Sequence, residues 1–395
     1  MREGLSPGGY LLTGPGSYTH LLAQALRHCK SLYAVAHYYP EWSLEKRDGA
    51  RRSVWGYSGL IWGLWALWRR LPFIGSYETP RLWQYALYDA LCARHFPPEA
   101  TFLWAWSGTS LYTMQKARAL GVPVFLEFPA SHPRVWNDIA YKAYQLQGLG
   151  KGKYALLPKQ LVHRMEKELA LADKVIVLSS FVRRQMEERG IPPEKIEVLP
   201  LGVEADLFRP AAKLQRKPFR FLYVGRVDPL KGVQYLLEAW KRARFPQAEL
   251  WIVGHVVEEM KPILAKYDGF FWYMGHRPRE ALPELYQAAT ALVFPTLLDS
   301  FGLVILEAMA CGLPVITTTH SAGPDVLGEG CIPPADVEAL QVALERIYTH
   351  PAPQEEGQAL RKRVEANYTV EHYFARVGAF LAKNVAQNSL SPRTT

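Results

Sequence analysis

The chain has 395 residues, 49% of them hydrophobic and 21% charged, with a formal net charge of +9 at pH 7. This length allows two domains with complete cores, and the composition excludes an intrinsically disordered chain. The four cysteines lie far apart and form no Cys-x-x-Cys pair. The pattern therefore indicates neither a zinc site nor a disulfide framework, and it suits a reducing cytoplasm. No window is apolar over a membrane-spanning length, and the first residues lack a signal peptide's apolar run, so we expect a cytoplasmic protein.

The positive charge is concentrated in the first half of the chain. Residues 1–205 contain 25 Lys and Arg against 17 Asp and Glu, a net +8, whereas residues 206–395 contribute +1. Two explanations stay open: a solvated basic face, or a surface for an anionic partner such as a phosphorylated acceptor or an acidic membrane. No basic and aromatic module typical of nucleic-acid binding is present, so we expect no nucleic-acid partner.

The first elements alternate between strand and helix patterns. Residues 9–13 predict a short strand and residues 21–28 a helix, with the segment GPGSYTH between them. Gly16 in that segment would let the backbone approach a ligand closely. Residues 31–40 predict a second strand, and the polar run 45–52 predicts a surface loop.

Residues 54–75 form an apolar stretch that contains four tryptophans and is bracketed by two arginine pairs. It is too short to span a bilayer. Three interpretations stay open: a helix buried in the first domain, an interfacial helix that docks on a membrane, or an acceptor pocket. Aromatic residues beside arginines suit an interfacial helix, whereas a core helix needs only the apolar part.

Two further strands lead to a candidate histidine. Residues 101–108 and 122–128 predict strands with a helix between them, and the second strand opens onto the segment PASHPRVWND. Because the carboxyl ends of parallel strands border the ligand crevice in α/β sheets, Ser131 and His132 are placed for function. A loop histidine is also often incidental, so both interpretations of His132 stay open.

The chain divides near residue 205. A helix, a strand at 174–178, a helix and a strand at 195–200 come first, and Ser179 or Ser180 is the expected cap of the second helix. The basic, proline-containing residues 211–218 then predict a linker.

Residues 219–243 predict a strand, a turn and a helix, and the turn carries Gly225, Arg226 and Lys231. Basic side chains in a turn are usually solvated, so Arg226 and Lys231 indicate a binding site only in combination with the acidic motif that follows about 70 residues later. Later strands include residues 270–276, and His276 and Arg277 follow at that strand's end.

The most informative stretch runs from residue 299 to residue 315 and reads DSFGLVILEAMACGLPV. It follows a buried-strand pattern, forms a turn at Asp299, and predicts a helix over residues 301–310 that contains Glu307. Gly312 caps that helix, and Pro314 prevents its continuation.

The start of this helix suits an anion, because its N–H groups are free and lie at the positive end of the helix dipole. Asp299 and Glu307 flank that position and can accept hydroxyl hydrogens. A ligand with a phosphate group between sugar hydroxyls fits this arrangement, and a nucleotide-sugar has these groups. The candidate binding residues at this helix start are Ser300, Phe301, Gly302, Leu303 and Val304.

The acid-x7-acid spacing of Asp299 and Glu307 resembles the Glu-x7-Glu motif of the family 4 retaining glycosyltransferases (glycosyl transferases group 1), with Asp in the first place. The pairs Gly225-Arg226 and Lys231-Gly232 resemble the family's Gly-Arg and Lys-Gly motif. The resemblance implies the GT-B fold: an α/β fold of two doubly wound Rossmann-like domains that face each other across a cleft. It places an acceptor-side domain at residues 1–205 and a donor-binding domain at 206–367, with a final helix at about 368–388 that packs back on the first domain.

The resemblance also implies roles for individual residues. Arg226 and Lys231 would hold the donor diphosphate, Glu307 the ribose, and Asp299 the sugar. Fixed cations there would stabilise the charge that grows on the leaving diphosphate.

Four residues outside these motifs receive roles by the same resemblance. Gly16 would face the donor phosphates, His132 would approach the transferred sugar, and His276 with Arg277 would lie near the nucleobase. The residues expected to act in catalysis are Asp299, His132, Arg226 and Lys231.

The implied function is transfer of a sugar, with retention, from a nucleotide diphosphate-sugar (UDP- or GDP-sugar) to a glycan, lipid-linked or small-molecule acceptor in cell-surface polysaccharide or glycolipid synthesis. The chain contains no Asp-x-Asp, no P-loop and no His-Glu-x-x-His motif. We therefore expect neither a metal nor a cofactor. Two alternatives stay open: an inactive binding or scaffold protein of the same fold, and a nucleotide-sugar epimerase.

Overall fold

The computed structural model describes residues 9–12, 19–29, 32–36, 51–52, 78–149, 156–211, 218–351 and 353–385. These residues form two parallel β-sheets with flanking helices, so the predicted α/β architecture with two doubly wound units is confirmed. Gly16, the tryptophan-rich stretch 54–75 and most of the linker lie outside the described residues.

The first sheet has seven parallel strands in the order β3-β2-β1-β4-β5-β6-β7. In chain order they are β1 (Gly9–Leu12), β2 (Leu32–Ala36), β3 (Arg51–Arg52), β4 (Leu103–Trp106), β5 (Val124–Glu127), β6 (Lys174–Val177) and β7 (Ile196–Val198). Arg51 and Arg52 were expected in a surface loop. That expectation is wrong, because they pair with Ala34 and Val35 and form a short, charged edge strand.

Six helices connect the described part of this sheet. They are α1 (Thr19–His28), α2 (Glu78–Arg94), α3 (Leu111–Ala119), α4 (Pro133–Leu146), α5 (Lys159–Leu171) and α6 (Ser180–Glu188). The cap of α6 is Ser179, whose hydroxyl accepts a hydrogen bond from the Val182 N–H.

The second sheet has five parallel strands in the order β10-β9-β8-β11-β12. They are β8 (Phe219–Val224), β9 (Ala248–Val253), β10 (Trp272–Gly275), β11 (Ala291–Phe294) and β12 (Val315–Thr317). The helices of this half are α7 (Val233–Ala243), α8 (Lys261–Ala265), α9 (Leu282–Ala288), α10 (Leu303–Ala310), α11 (Gly323–Leu327), α12 (Val337–Thr349) and α13 (Gln354–Asn367). The inner strand β11 is completely buried, as its apolar sequence predicts.

The final helix, α14 (Val370–Val385), returns to the first sheet. Its Phe380 packs edge-on against Trp104, with 5.5 Å between ring centroids, and against Phe125, with 5.0 Å. The chain crosses itself closely where it returns, since a β-carbon on Gly202 would overlap the carbonyl oxygen of Thr369. None of the described helices is long and apolar enough to cross a membrane.

Candidate active site

The site is built from two loops at the carboxyl ends of β8 and β11, which are adjacent strands inside the second sheet. The loops are joined by backbone hydrogen bonds, since the Leu297 N–H donates to the Leu230 carbonyl at 2.8 Å. Gly232 permits this approach, because it adopts φ +72° and a β-carbon there would overlap the Pro295 carbonyl oxygen. The basic turn and the acidic turn, predicted separately from the sequence, are therefore one structural unit.

Asp228 organises the basic turn. One of its carboxylate oxygens accepts the N–H groups of Leu230 (2.9 Å) and Lys231 (3.1 Å), and the other lies 3.2 Å from Arg226 Nε. Burial raises the pKa of this carboxyl, while Lys231 and Arg226 lower it. Asp228 thus fixes the backbone that carries both cations, a role that sequence reasoning missed.

The two cations differ in their surroundings. Lys231 is only 21% exposed, and its ammonium group donates to Asp299 Oδ2 at 2.6 Å and to the Leu298 carbonyl at 3.2 Å. The Arg226 side chain is 59% exposed and has Asp228 as its ion-pair partner. The structure therefore brings Lys231 and Asp299 into direct contact and leaves Arg226 at the edge of the site.

The helix after the acidic turn begins later than predicted. Residues 301–310 were expected to be helical, but α10 begins at Leu303, because Gly302 adopts φ +83°. The Phe301 N–H donates to Asp299 Oδ1 at 3.0 Å. Within the described chain no side chain caps α10, which leaves the first N–H groups of this helix, those of Gly302, Leu303 and Val304, without a capping side chain, as at helix ends suited to an anion.

Glu307 lies on the buried side of α10 and is 4% exposed. Its Oε2 accepts the Tyr286 hydroxyl at 2.8 Å, and its Oε1 lies 3.9 Å from Arg279 Nε. Burial raises the pKa of Glu307, although Tyr286 and Arg279 act in the opposite direction. Arg279 also pairs with Glu204 at 2.8 Å. Tyr286 and Arg279 were not among the candidates that the sequence suggested.

Ser300 connects the site to the first domain. Its hydroxyl donates to the Pro129 carbonyl at 2.6 Å, and its own carbonyl accepts the Ser179 hydroxyl at 2.6 Å. A third contact lies nearby, where the Ser180 N–H donates to Asp325 Oδ2 at 2.8 Å. The acidic turn is thus held against the carboxyl ends of β5 and β6.

His132 does not join this cluster. It caps α4, with Nδ1 accepting the Arg134 N–H at 3.3 Å, and its ring lines a cavity bounded by first-domain residues. Burial, followed by the charges of Arg189 and Arg134, lowers the pKa of His132 to about 4. None of the groups that shift it belongs to the second domain. The expected approach of His132 to the transferred sugar stays a prediction.

His276 and Arg277 are exposed on the loop after β10. Their side chains form no hydrogen bond or ion pair with the rest of the described chain. Gly225, at the end of β8, adopts φ +153° and passes close to Gly254. These residues border the second sheet at the same edge as the two loops, and their expected role in donor binding stays a prediction.

The cluster has the chemistry of an anion site next to a hydroxyl site. Backbone N–H groups and a fixed ammonium ion favour phosphate oxygens, and the carboxylates of Asp299 and Glu307 accept hydroxyl hydrogens.

Residues 218–350 match the family model described as glycosyl transferases group 1, and residues 13–202 match the one described as a glycosyl transferase 4-like domain. The chain belongs to the group 1 glycosyltransferases. The family resemblance seen in its sequence is thereby confirmed.

Curated relatives match over part of their length. The chain is 30% identical over 207 residues to the O-antigen chain mannosyltransferase B of Escherichia coli, covering 46% of this chain and 54% of that protein. It is 29% identical over 238 residues to the MMP alpha-(1->4)-mannosyltransferase of Mycolicibacterium hassiacum, covering 56% and 57%. The matched regions thus span little more than half of these relatives.

Solved structures match over nearly the whole chain. Sucrose-phosphate synthase from Thermosynechococcus elongatus superposes with a TM-score of 0.67 at 20% identity, over 96% of this chain and 100% of that one. HepE from Anabaena, in complex with UDP and glucose, gives a TM-score of 0.65 at 15% identity, over 95% and 100%. At these identities the likeness shows the fold alone, and that fold is GT-B.

Proposed function

We propose that this group 1 glycosyltransferase transfers a sugar from a nucleotide diphosphate-sugar, with retention at the anomeric carbon. The observation that carries the proposal is the joined pair of loops. It puts the Lys231 ammonium, the N–H groups of Gly302 to Val304 and the Asp299 carboxylate in one cluster, with Glu307 about one turn along the same helix.

The diphosphate would bind at the amino terminus of α10. Lys231, which is paired with Asp299 in the structure, would then exchange this partner for phosphate oxygens. That exchange frees the Asp299 carboxylate for sugar hydroxyls. As the glycosidic bond breaks, negative charge grows on the diphosphate, and the lysine and the helix N–H groups are already in position to stabilise it.

Glu307 would bind the ribose hydroxyls. In the described chain its carboxylate is held by Tyr286 and Arg279, which orient it. The ribose does not change during transfer, so this contact would contribute to donor binding and little to the chemical step.

Retention would follow if the acceptor hydroxyl attacks from the face that the diphosphate leaves, with leaving-group oxygens helping to remove its proton. The relatives named above are mannosyltransferases, and one structural neighbour is in complex with UDP. These names support a UDP- or GDP-sugar as the donor and a glycan, lipid-linked or small-molecule acceptor. The basic first half supports an acceptor at an anionic membrane surface on the cytoplasmic side, in polysaccharide or glycolipid synthesis.

A thermal-shift screen of UDP-, GDP- and ADP-sugars tests the proposal, because a ligand that binds the folded state raises its melting temperature by mass action. We expect one base to stabilise the wild type and the same donor to stabilise Lys231→Ala much less. NMR of the product formed from that donor and candidate acceptors then reports the anomeric configuration. Inverted product would contradict retention, a modified sugar formed without acceptor would indicate an epimerase, and binding without turnover would indicate a scaffold protein.

A further inference from the structure

A cavity of about 540 Å³ lies within the first domain, between the start of α4, the second half of α5 and the segment that follows α6. Among the described residues, all those that line it belong to the first domain. Its walls are partly apolar, with Leu169, Ile191 and Pro192, and the polar side chains around it include His132. The cavity is therefore distinct from the cluster around Lys231 and Asp299.

His132 presents an unused donor to this cavity. It is 4% exposed, and its Nδ1 accepts the Arg134 N–H. A neutral ring with Nδ1 as acceptor carries its hydrogen on Nε2. The described residues offer that Nε2–H no acceptor. Beside it, Gln185 accepts the His132 N–H with Oε1 at 3.2 Å, while its own Nε2 and the Ser131 hydroxyl are buried without a partner.

The cavity also has a surplus of positive charge. Three cationic side chains and one carboxylate line it, a net charge of +2. Arg134 is paired with the carboxylate of Glu166, and Arg189 lies 3.0 Å from an oxygen of Asp138. Lys195 has no partner in the described chain. Donors therefore outnumber acceptors in this cavity.

We propose that this cavity is a second binding site of the enzyme and takes a small, soluble phosphomonoester. Such a group carries a charge of about −1.5 to −2 at neutral pH and three strong acceptor oxygens. Those oxygens match the three donors that His132, Arg189 and Lys195 present, and the charge balances the surplus of the lining. The apolar wall accommodates the carbon skeleton of the ester.

Histidine NMR tests the site directly. The enzyme is labelled with ¹³C at the histidine Cε1 position, and the His132 signal is identified by its loss in His132→Asn. Inorganic phosphate and then glycerol 3-phosphate are titrated. We expect a saturable shift of the His132 signal with both, and affinity lower by about tenfold or more in Arg189→Ala/Lys195→Ala, since charge-assisted hydrogen bonds are lost.

Two variants serve as controls. Lys167→Ala removes one positive charge, as Lys195→Ala does, at an exposed position of α5 that does not line the cavity, and it should bind phosphate as the wild type does. Lys231→Ala weakens the proposed donor site and should leave the His132 response unchanged. If the double variant does not fold, as judged by circular dichroism, Lys195→Ala alone replaces it, because that side chain has no partner to lose.

Three results would overturn the assignment. The first is a His132 signal that does not respond to phosphate. The second is equal phosphate affinity in the wild type and in Arg189→Ala/Lys195→Ala, or in Lys195→Ala where that variant replaces it. The third is a His132 response that is lost in Lys231→Ala. A response to dihexanoyl phosphatidic acid without one to glycerol 3-phosphate would assign the cavity to a lipid instead. None of these outcomes depends on whether the protein transfers a sugar.

Discussion

Replacement of Lys231 by alanine should reduce turnover far more than replacement of Arg226 does. Both cations belong to the same turn, but Lys231 is 21% exposed and held by two oxygens, whereas Arg226 is 59% exposed. A preorganised, desolvated donor to a developing negative charge contributes on the order of 100- to 1,000-fold to kcat. An exposed cation is screened by water and stabilises the transition state by roughly 1 kcal/mol or less, which corresponds to at most about fivefold in kcat.

The assay is the initial rate of nucleoside diphosphate release over a range of donor concentrations. Lys231→Ala should lower kcat by about 100-fold or more with a smaller rise in donor KM, because its interaction strengthens as the sugar leaves. Arg226→Ala should lower kcat by about fivefold or less. In the double variant the two losses should be less than additive, since both residues serve one diphosphate. Lys266→Ala, an exposed lysine of the same domain, is the matched control and should have wild-type kinetics.

Removal of Lys231 also leaves the Asp299 carboxylate without its partner, and that charge would repel the donor. The variant Lys231→Ala/Asp299→Asn separates the two effects, because it should recover part of the loss in KM and none of the loss in kcat. If Lys231→Ala keeps kcat within about threefold of the wild type, the lysine is a structural partner of Asp299 and the reasoning is refuted.

Four further outcomes are expected. Activity should survive EDTA, since Lys231 and a helix amino terminus do the work of an ion; loss with EDTA and recovery with manganese or magnesium would contradict this. Tyr286→Phe should lower the free energy of unfolding by about 1–3 kcal/mol in urea titrations, because it leaves an oxygen of the buried Glu307 unpaired. Tyr267→Phe should have a smaller effect, because the Tyr267 hydroxyl donates to Glu238, which is 34% exposed. His132 should make the fold less stable in acid, because its pKa is 6.5 in the unfolded chain and about 4 in the folded protein. Its contribution to the free energy of unfolding, about 3 kcal/mol, is present above pH 6.5 and is lost as the pH falls to 4. In His132→Asn, the free energy of unfolding should therefore differ less between pH 7.5 and pH 5 than it does in the wild type. An unchanged difference would refute the lowered pKa of His132. Finally, the enzyme should float with anionic liposomes in preference to neutral ones, and equal flotation would count against a membrane surface.

The sequence predicted the strand and helix order well because buried parallel strands are short apolar runs, and those runs alternate here with amphipathic segments. It also placed Asp299 and Lys231 at strand ends, where parallel sheets position ligands. It could not show that these two side chains form an ion pair, because they are 68 positions apart and only the packing of β8 beside β11 joins them.

Other features depended on local geometry. The left-handed conformation of Gly302 delays the helix by two residues, and a glycine at a helix start fits either boundary. Tyr286 lies in an ordinary apolar pattern, so its hydroxyl partner appears only when α9 packs on α10. One feature of His132 was predictable from the sequence: Pro133 favours the first position of a helix, which makes His132 the cap of α4.

The measurement that tests the central claim most directly is a crystal structure with the nucleoside diphosphate that gives the largest thermal shift. We predict phosphate oxygens within hydrogen-bond distance of the Gly302 to Val304 N–H groups and of Lys231 Nζ, with the ribose hydroxyls on Glu307. A diphosphate bound elsewhere, with Lys231 still paired to Asp299 and no ligand on Glu307, would contradict the account.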